Sequence, residues 1–157
     1  MELPIFLKAD NEFKEKLIEE LPKFFKSKER IAVKLHMGEA ENPNHLKPAF
    51  VKFVTDALKN AGAIPFLIDT TVRYRSPRNS VKGYLETARK NGFTKEFMGC
   101  DIVISNSYVK SKGKYLTYEI AKELAEADGV LVLTHVKGHT CSGFGGAIKN
   151  LGMGALS

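Results

Sequence analysis

Apolar residues recur every three or four positions in several segments of this chain, which is the spacing of one face of an α-helix. Asp10 or Asn11 can cap the first of these helices, and Pro22 should kink or interrupt it. Pro48 suits the first turn of a second helix, and Gly62 suits its end. The other predicted helices follow a cap at Ser80 as far as Asn91, span residues 118–127, and begin near Ala147.

Short apolar runs separate these helices and have the length of strands. Strands alternating with helices are typical of an α/β fold with a mainly parallel open sheet and helices on both faces, a Rossmann-like arrangement. No repeat or linker divides residues 1–157, so we expect a single domain. The predicted strands are residues 4–7 at an edge, 30–36, 64–68, 101–104 and 129–133, whereas residues 105–114 are predicted to form a loop.

Composition narrows the class of protein. The net charge of +6 comes from 24 Lys and Arg against 18 Asp and Glu, which could attract nucleic acid or a phosphorylated small molecule. The alternative is a solvated surface, because the lysines are scattered along amphipathic segments. The chain has no helix-turn-helix, zinc-finger or ribonucleoprotein signature, which argues against nucleic acid. We expect no membrane span, because the apolar runs are too short, and a cytoplasmic location, because no secretory signal is present.

Polar side chains follow three of the predicted strands, at the edge where open α/β sheets bind ligands. Lys34 and His36 end the first strand, and Asp69, Thr70 and Thr71 follow the second. Residues 135–139 follow the last one. If these strands are neighbours, the groups should line one crevice.

Two hypotheses for this crevice use different ligands. His135 and His139 are four residues apart, and with His36 and Asp69 they could offer three nitrogens and one oxygen to a divalent metal. Against this, the two histidines lie in a glycine-containing loop and not on a helix. The alternative is that they hydrogen-bond to backbone at a tight turn.

The second hypothesis is an anion site in the glycine-rich segment 143–146. Glycines before a helix expose backbone N–H groups, and nearby lysines add positive charge. The segment is neither a P-loop nor the dinucleotide fingerprint, since Ile148 replaces the third glycine of the latter. Alternatively, the glycines allow the helix to approach a strand closely. The candidate ligand-binding residues are Lys34, Asp69, Lys137, Gly143, Gly145, Gly146, Lys149 and Asn150.

Two further features have weaker interpretations. Arg73, Arg75 and Arg78 fit a solvated loop better than a lid that grips an anion. Cys141 lies near His139, but no third group can be assigned to orient that histidine as a base, so a nucleophilic role is not favoured.

Three motifs resemble a known family, the domain of unknown function 362, and in particular its branch in ferredoxin-like iron–sulfur proteins. They lie in residues 33–39, 62–70 and 135–154. The resemblance implies an α/β domain, corresponding to the N-terminal part of longer members that add a four-cysteine cluster motif. Cys100 and Cys141 do not replace those ligands, so we expect no iron–sulfur cluster within this chain.

The functional expectation is therefore a small-ligand- or metal-binding α/β domain of an iron–sulfur-associated family. The alternative is a redox-accessory or interaction module whose cluster lies on another segment or subunit. The sequence leaves open whether the domain is an enzyme. No closing strand follows the last helix, which suggests an incomplete or partner-completed domain and makes a homodimer an expectation.

Overall fold

The computed structural model describes residues 10–156. The predicted edge strand at residues 4–7 lies outside this part of the chain. The helices are α1 (Asn11–Phe24), α2 (Pro48–Asn60), α3 (Val81–Lys90), α4 (Lys95–Met98), α5 (Lys122–Ala125) and α6 (Ala147–Gly154), with a 3-10 turn at Pro77–Asn79. The strands are β1 (Arg30–Lys34), β2 (Ile64–Thr70), β3 (Asp101–Ser105), β4 (Tyr108–Lys112), β5 (Thr117–Ala121), β6 (Gly129–Val132), β7 (Lys137–His139) and β8 (Gly143–Gly145).

A four-stranded parallel sheet with the order β3-β2-β1-β6 forms the centre of the fold. The chain moves outward from β1 to β2 and β3, and then returns to place β6 on the other side of β1. The strand order therefore reverses at β1, which is where open α/β sheets form a ligand crevice. This architecture confirms the predicted α/β class with a parallel, Rossmann-like sheet.

The two faces of the sheet have different covers. Alternate residues of β1 point to opposite faces, so Ile31 and Val33 pack in one apolar cluster and Ala32 packs in the other. Helices α1 to α4 contribute to the first cluster, with Leu58 and Met98 fully buried there. The second cluster is smaller and contains residues of β5, α5 and α6.

A β-hairpin replaces two predicted elements. Residues 105–114 contain β4 instead of a loop, and most of the helix predicted over residues 118–127 is β5 and the short helix α5. Strand pairing over the full length of both strands, together with burial of Ala121 on the sheet, outweighs the local helical preference. The glycine-rich loop also contains a hairpin, β7–β8.

Helix α1 continues through Pro22 and ends at Phe24, so the proline does not interrupt it. Asp10 caps this helix, as its Oδ1 accepts the N–H of Phe13 at 3.1 Å. No helix within residues 10–156 combines the length and apolar character needed to cross a membrane.

Candidate functional site

A cleft of about 740 Å³ opens at the carboxyl edge of the sheet, beside the strand where the order reverses. The ends of β1 and β2, the segment after β6, the β7–β8 hairpin and α6 all contribute side chains to it. Of the candidate residues from the sequence, those that line it are Lys34, His36, Asp69, His135, Lys137, His139, Gly145, Gly146, Lys149 and Asn150. Gly143 does not line it and is the exposed first residue of β8.

A buried polar network forms the floor of the cleft. The side chain of Lys34 is 1% exposed, and its Nζ lies 2.8 Å from Oδ1 of Asp69 and 2.6 Å from Oδ1 of Asn150. The hydroxyl of Tyr84 donates a hydrogen bond to the other carboxylate oxygen of Asp69. Burial and the nearby Asp69 raise the pKa of Tyr84 well above its usual value, so the tyrosine stays neutral and keeps donating. Each charge in the floor thus has a partner.

Asn150 joins helix α6 to the ends of two strands. Its Nδ2 lies 3.3 Å from the carbonyl oxygens of both Lys34 and Leu133, and 2.9 Å from Oγ1 of Thr134. At the other end of the helix, the Thr70 hydroxyl donates to the carbonyl of Gly154 at 3.2 Å. These contacts fix α6 across the carboxyl ends of β1, β2 and β6.

Helix α6 packs so closely on the Lys34–Asp69 pair that Gly154 has no space for a side chain. A Cβ added at Gly154 would lie 2.6 Å from Nζ of Lys34 and 3.1 Å from Oδ1 of Asp69. Glycine is therefore required where α6 meets the buried ion pair. The sequence suggested that the glycines of residues 143–146 let a helix approach a strand closely. The structure shows such a close approach at Gly154.

A second polar cluster forms one wall of the cleft around Glu39. Arg78 is 2% exposed and binds Glu39 through two guanidinium nitrogens, with Nε 3.1 Å from Oε2. The hydroxyl of Tyr74 donates to Oε1 at 3.0 Å, and Nε2 of His36 lies 3.7 Å from the same oxygen. The interaction with His36 and the charge of Arg78 lower the pKa of Glu39 to about 2 despite its partial burial. The carboxylate is thus ionised under ordinary conditions.

The geometry of His36 and His139 favours hydrogen-bond donation through Nε2 over metal binding. Nδ1 of His36 accepts the N–H of Gly38 at 3.0 Å, and Nδ1 of His139 accepts those of Cys141 and Ser142 at 3.1 and 3.3 Å. In a neutral ring an accepting Nδ1 leaves the proton on Nε2, which then donates and has no lone pair for a metal. Among residues 10–156, no three His, Cys, Asp or Glu side chains are grouped so that they could hold a metal ion.

The wall of the cleft formed by the β7–β8 hairpin and the first turn of α6 is basic. Lys137 and Lys149 line the cleft near His139. Burial, and then the charges of Lys149 and Lys137, lower the pKa of that histidine. Neither lysine pairs with a carboxylate within the described residues, in contrast to Lys34 and Arg78. Positive charge on this wall is therefore available to a ligand.

One arginine of the predicted basic loop is buried, and the two cysteines lie at opposite ends of the sheet strands. Arg78 belongs to the cleft wall and is buried, so the solvated-loop interpretation was wrong for this residue. Cys141 is exposed in the β7–β8 turn, where its backbone N–H, and not its thiol, contacts His139. Cys100 precedes β3 at the amino end of the sheet, so the two cysteines lie at opposite sheet edges.

Sequence reasoning missed two residues that organise the cleft, Tyr84 and Glu39. Tyr84 is an apolar-face residue of α3 by its spacing, and nothing in the sequence distinguishes it from a core residue. Glu39 lies within the motif at residues 33–39, which was the one available signal. Thr70, which the sequence places with Asp69 at a strand end, lines the cleft.

Comparison with known proteins gives a family but no activity. The model of one family, described as a domain of unknown function (DUF362), matches residues 31–157. No curated protein and no solved structure matches the chain.

The contact at Gly154 predicts a difference between two glycines of the same helix. Gly154→Ala should lower the free energy of unfolding by about 1–3 kcal/mol, because the methyl group meets a buried, fully bonded ion pair. Gly152→Ala is the matched control, since a Cβ there meets nothing within 4 Å. It should raise stability by about 0.5–1 kcal/mol. Urea denaturation measures both, and equal effects would refute the close approach.

The lowered pKa of Glu39 predicts a pH-dependent contribution to stability. A carboxyl whose folded-state pKa is depressed stabilises the fold above its ordinary pKa of 4.5 and loses this effect as pH falls toward about 2. The difference in unfolding free energy between wild type and Glu39→Gln should therefore shrink across that interval. Glu86→Gln, at an exposed site on α3, is the control. A wild-type advantage over Glu39→Gln that stays constant with pH would contradict the assignment.

Proposed function

The chain belongs to the DUF362 family, and we propose that it binds a small anionic molecule in the cleft at the carboxyl edge of its sheet. The observation that carries this proposal is the unneutralised basic wall formed by Lys137 and Lys149. Among the described residues that line the cleft are five lysines and arginines but only two carboxylates. Both carboxylates are already paired, Asp69 with Lys34 and Glu39 with Arg78. The positive charge of Lys137 and Lys149 therefore faces the ligand space.

Neutral hydrogen-bond donors complement the lysines. Nε2 of His139 carries a proton in the neutral ring, because its Nδ1 accepts two backbone N–H groups. Helix α6 begins at Ala147 with Gly146 as its cap residue, and no side chain caps its first N–H groups. Gly145, Gly146 and Lys149 line the cleft at this same point. Donors and cations at one wall suit a phosphate or carboxylate group.

The size of the cleft limits the ligand. Pockets for small molecules and cofactors typically enclose roughly 300–1,000 Å³, and this cleft of about 740 Å³ lies within that range. The wall around Tyr74 and the ionised Glu39 offers hydrogen-bond acceptors to the rest of the ligand. A molecule with an anionic group at one end and hydroxyl groups at the other would match both walls.

The metal-binding and redox alternatives have less support from the arrangement. A metal site would require His36 or His139 to exchange its backbone hydrogen bonds for a different tautomer. A redox-accessory role would require a cluster elsewhere, since Cys100 and Cys141 lie at opposite edges of the sheet. Anion binding is compatible with the backbone hydrogen bonds that both histidines make.

Calorimetric titration with inorganic phosphate, pyrophosphate and citrate tests the proposal. We expect at least one of these anions to bind the wild-type chain. The double variant Lys137→Ala/Lys149→Ala should bind it about tenfold or more weakly, because each lost charged hydrogen bond contributes roughly 1.5–3 kcal/mol. Affinity should also fall as salt is raised.

The matched control is Lys82→Ala/Lys90→Ala, which removes two exposed lysines of α3 that lie outside the cleft. It should bind the anion like wild type. Equal weakening by both double variants would show nonspecific charge attraction and contradict the site. A chain that binds none of the anions but takes up Zn²⁺ in a His139-dependent manner would favour the metal hypothesis instead.

A further inference from the structure

The β4–β5 hairpin has one outer edge that the described chain does not use. The N–H of Lys122 bonds to the carbonyl of Ser107 at 2.9 Å, and the N–H of Gly113 bonds to the carbonyl of Leu116 at 2.8 Å. Since inward-facing residues alternate in an antiparallel pair, residues 109 and 111 also face β5. The backbone groups of Tyr108, Lys110 and Lys112 therefore face outward.

The two edges of the hairpin are in different situations. On β5, the N–H of Ala121 donates to the carbonyl of Ala155 at 2.9 Å, and Ile120 forms a bridge with Leu156. On β4, no described strand pairs with the outward groups. The hairpin is therefore anchored along β5, and β4 is the edge at which a third strand could add.

The charges on β4 favour a particular kind of strand. Lys110 and Lys112 are both exposed and share a face of the ribbon, because they are two residues apart. Lysines on an open edge repel a second copy of the same edge. Carboxylates placed beside them in an added strand would be attracted, as opposite charges across neighbouring strands stabilise pairing.

Apolar surface lies at the end of the hairpin, next to the lysines. Tyr115 is 81% exposed and Leu116 is 66% exposed, both in the turn between the strands. The Nζ of Lys114 lies 5.0 Å from the centre of the Tyr115 ring. An apolar residue at one end of an added strand could pack on this pair.

We propose that β4 binds an acidic, extended polypeptide segment as a third strand of the hairpin. The segment would hydrogen-bond to the outward backbone groups of residues 108, 110 and 112, with acidic side chains beside Lys110 and Lys112. This mode of binding is strand addition to an exposed sheet edge. A polypeptide fits better than a nucleic acid, because the edge offers alternating donors and acceptors at strand spacing. Glu119 lies opposite Lys110 on β5, so Lys112, which lies opposite Thr117, contributes most of the attraction. The proposal is independent of the anion cleft.

Fluorescence anisotropy of the full chain with a labelled peptide of alternating glutamate and valine tests this inference. We expect saturable binding. Lys112→Glu should weaken it about tenfold through charge reversal. Lys82→Glu, an equally drastic change at an exposed site on α3, should leave it unchanged. A peptide of the same sequence with alternate amides N-methylated should not bind, because it cannot complete the strand hydrogen bonds.

A second variant tests the edge itself. Lys110→Pro removes an outward N–H and leaves the bonds to β5 intact, so it should abolish binding while thermal unfolding still reports a folded chain. If that chain does not fold, Lys110→Glu replaces it, with the same expectation as Lys112→Glu. Equal binding of the methylated peptide, or unchanged binding by Lys112→Glu, would overturn the proposal. So would Lys112-dependent binding of oligothymidylate in place of the peptide.

Discussion

The buried ion pair between Lys34 and Asp69 is the constraint on which the rest of this site depends. Two charges removed from water need each other and further hydrogen bonds, because an unpaired buried charge costs about 3–5 kcal/mol. Asn150 and Tyr84 supply those bonds. They come from α6 and α3, so satisfying the pair fixes two helices against two neighbouring strands.

This constraint explains why the cleft has its particular walls. Lys34 ends β1, where the order of the sheet reverses, and a lysine there could extend into a solvent-filled crevice. Its pairing with Asp69 turns it inward, as a structural charge. Glu39 and Arg78 neutralise each other in the same way on one wall. Charge toward the ligand space is left to the other wall, which is formed by the β7–β8 hairpin and the first turn of α6.

The sequence predicts the parts of the fold that depend on local patterns. The apolar periodicity of α2, the runs of β1 and β2, and the glycine before α6 are strong local signals, and the structure contains these elements. The β4–β5 hairpin was missed because pairing between distant residues, and not local spacing, decides its conformation.

In the candidate site too, local sequence patterns predict some residues, whereas others depend on the tertiary fold. Strand ends indicated Lys34 and Asp69, and the glycine-rich motif indicated Lys149 and Asn150. Their partners could not be predicted, because Tyr84 and Arg78 resemble a core residue and a solvated loop residue until the tertiary fold buries them. The backbone contacts at His139 Nδ1, which disfavour a metal, depend on a turn geometry that spacing alone does not specify.

The most direct test of the account is an amide NMR titration of the full chain with pyrophosphate. We predict saturable shifts centred on Lys137, Gly145, Gly146 and Lys149, with the amino edge of the sheet around Ile64 and Cys100 unaffected. That result would place the anion between the hairpin and the first turn of α6. No saturable shifts, or shifts centred on the amino edge, would contradict the claim that this cleft is an anion site.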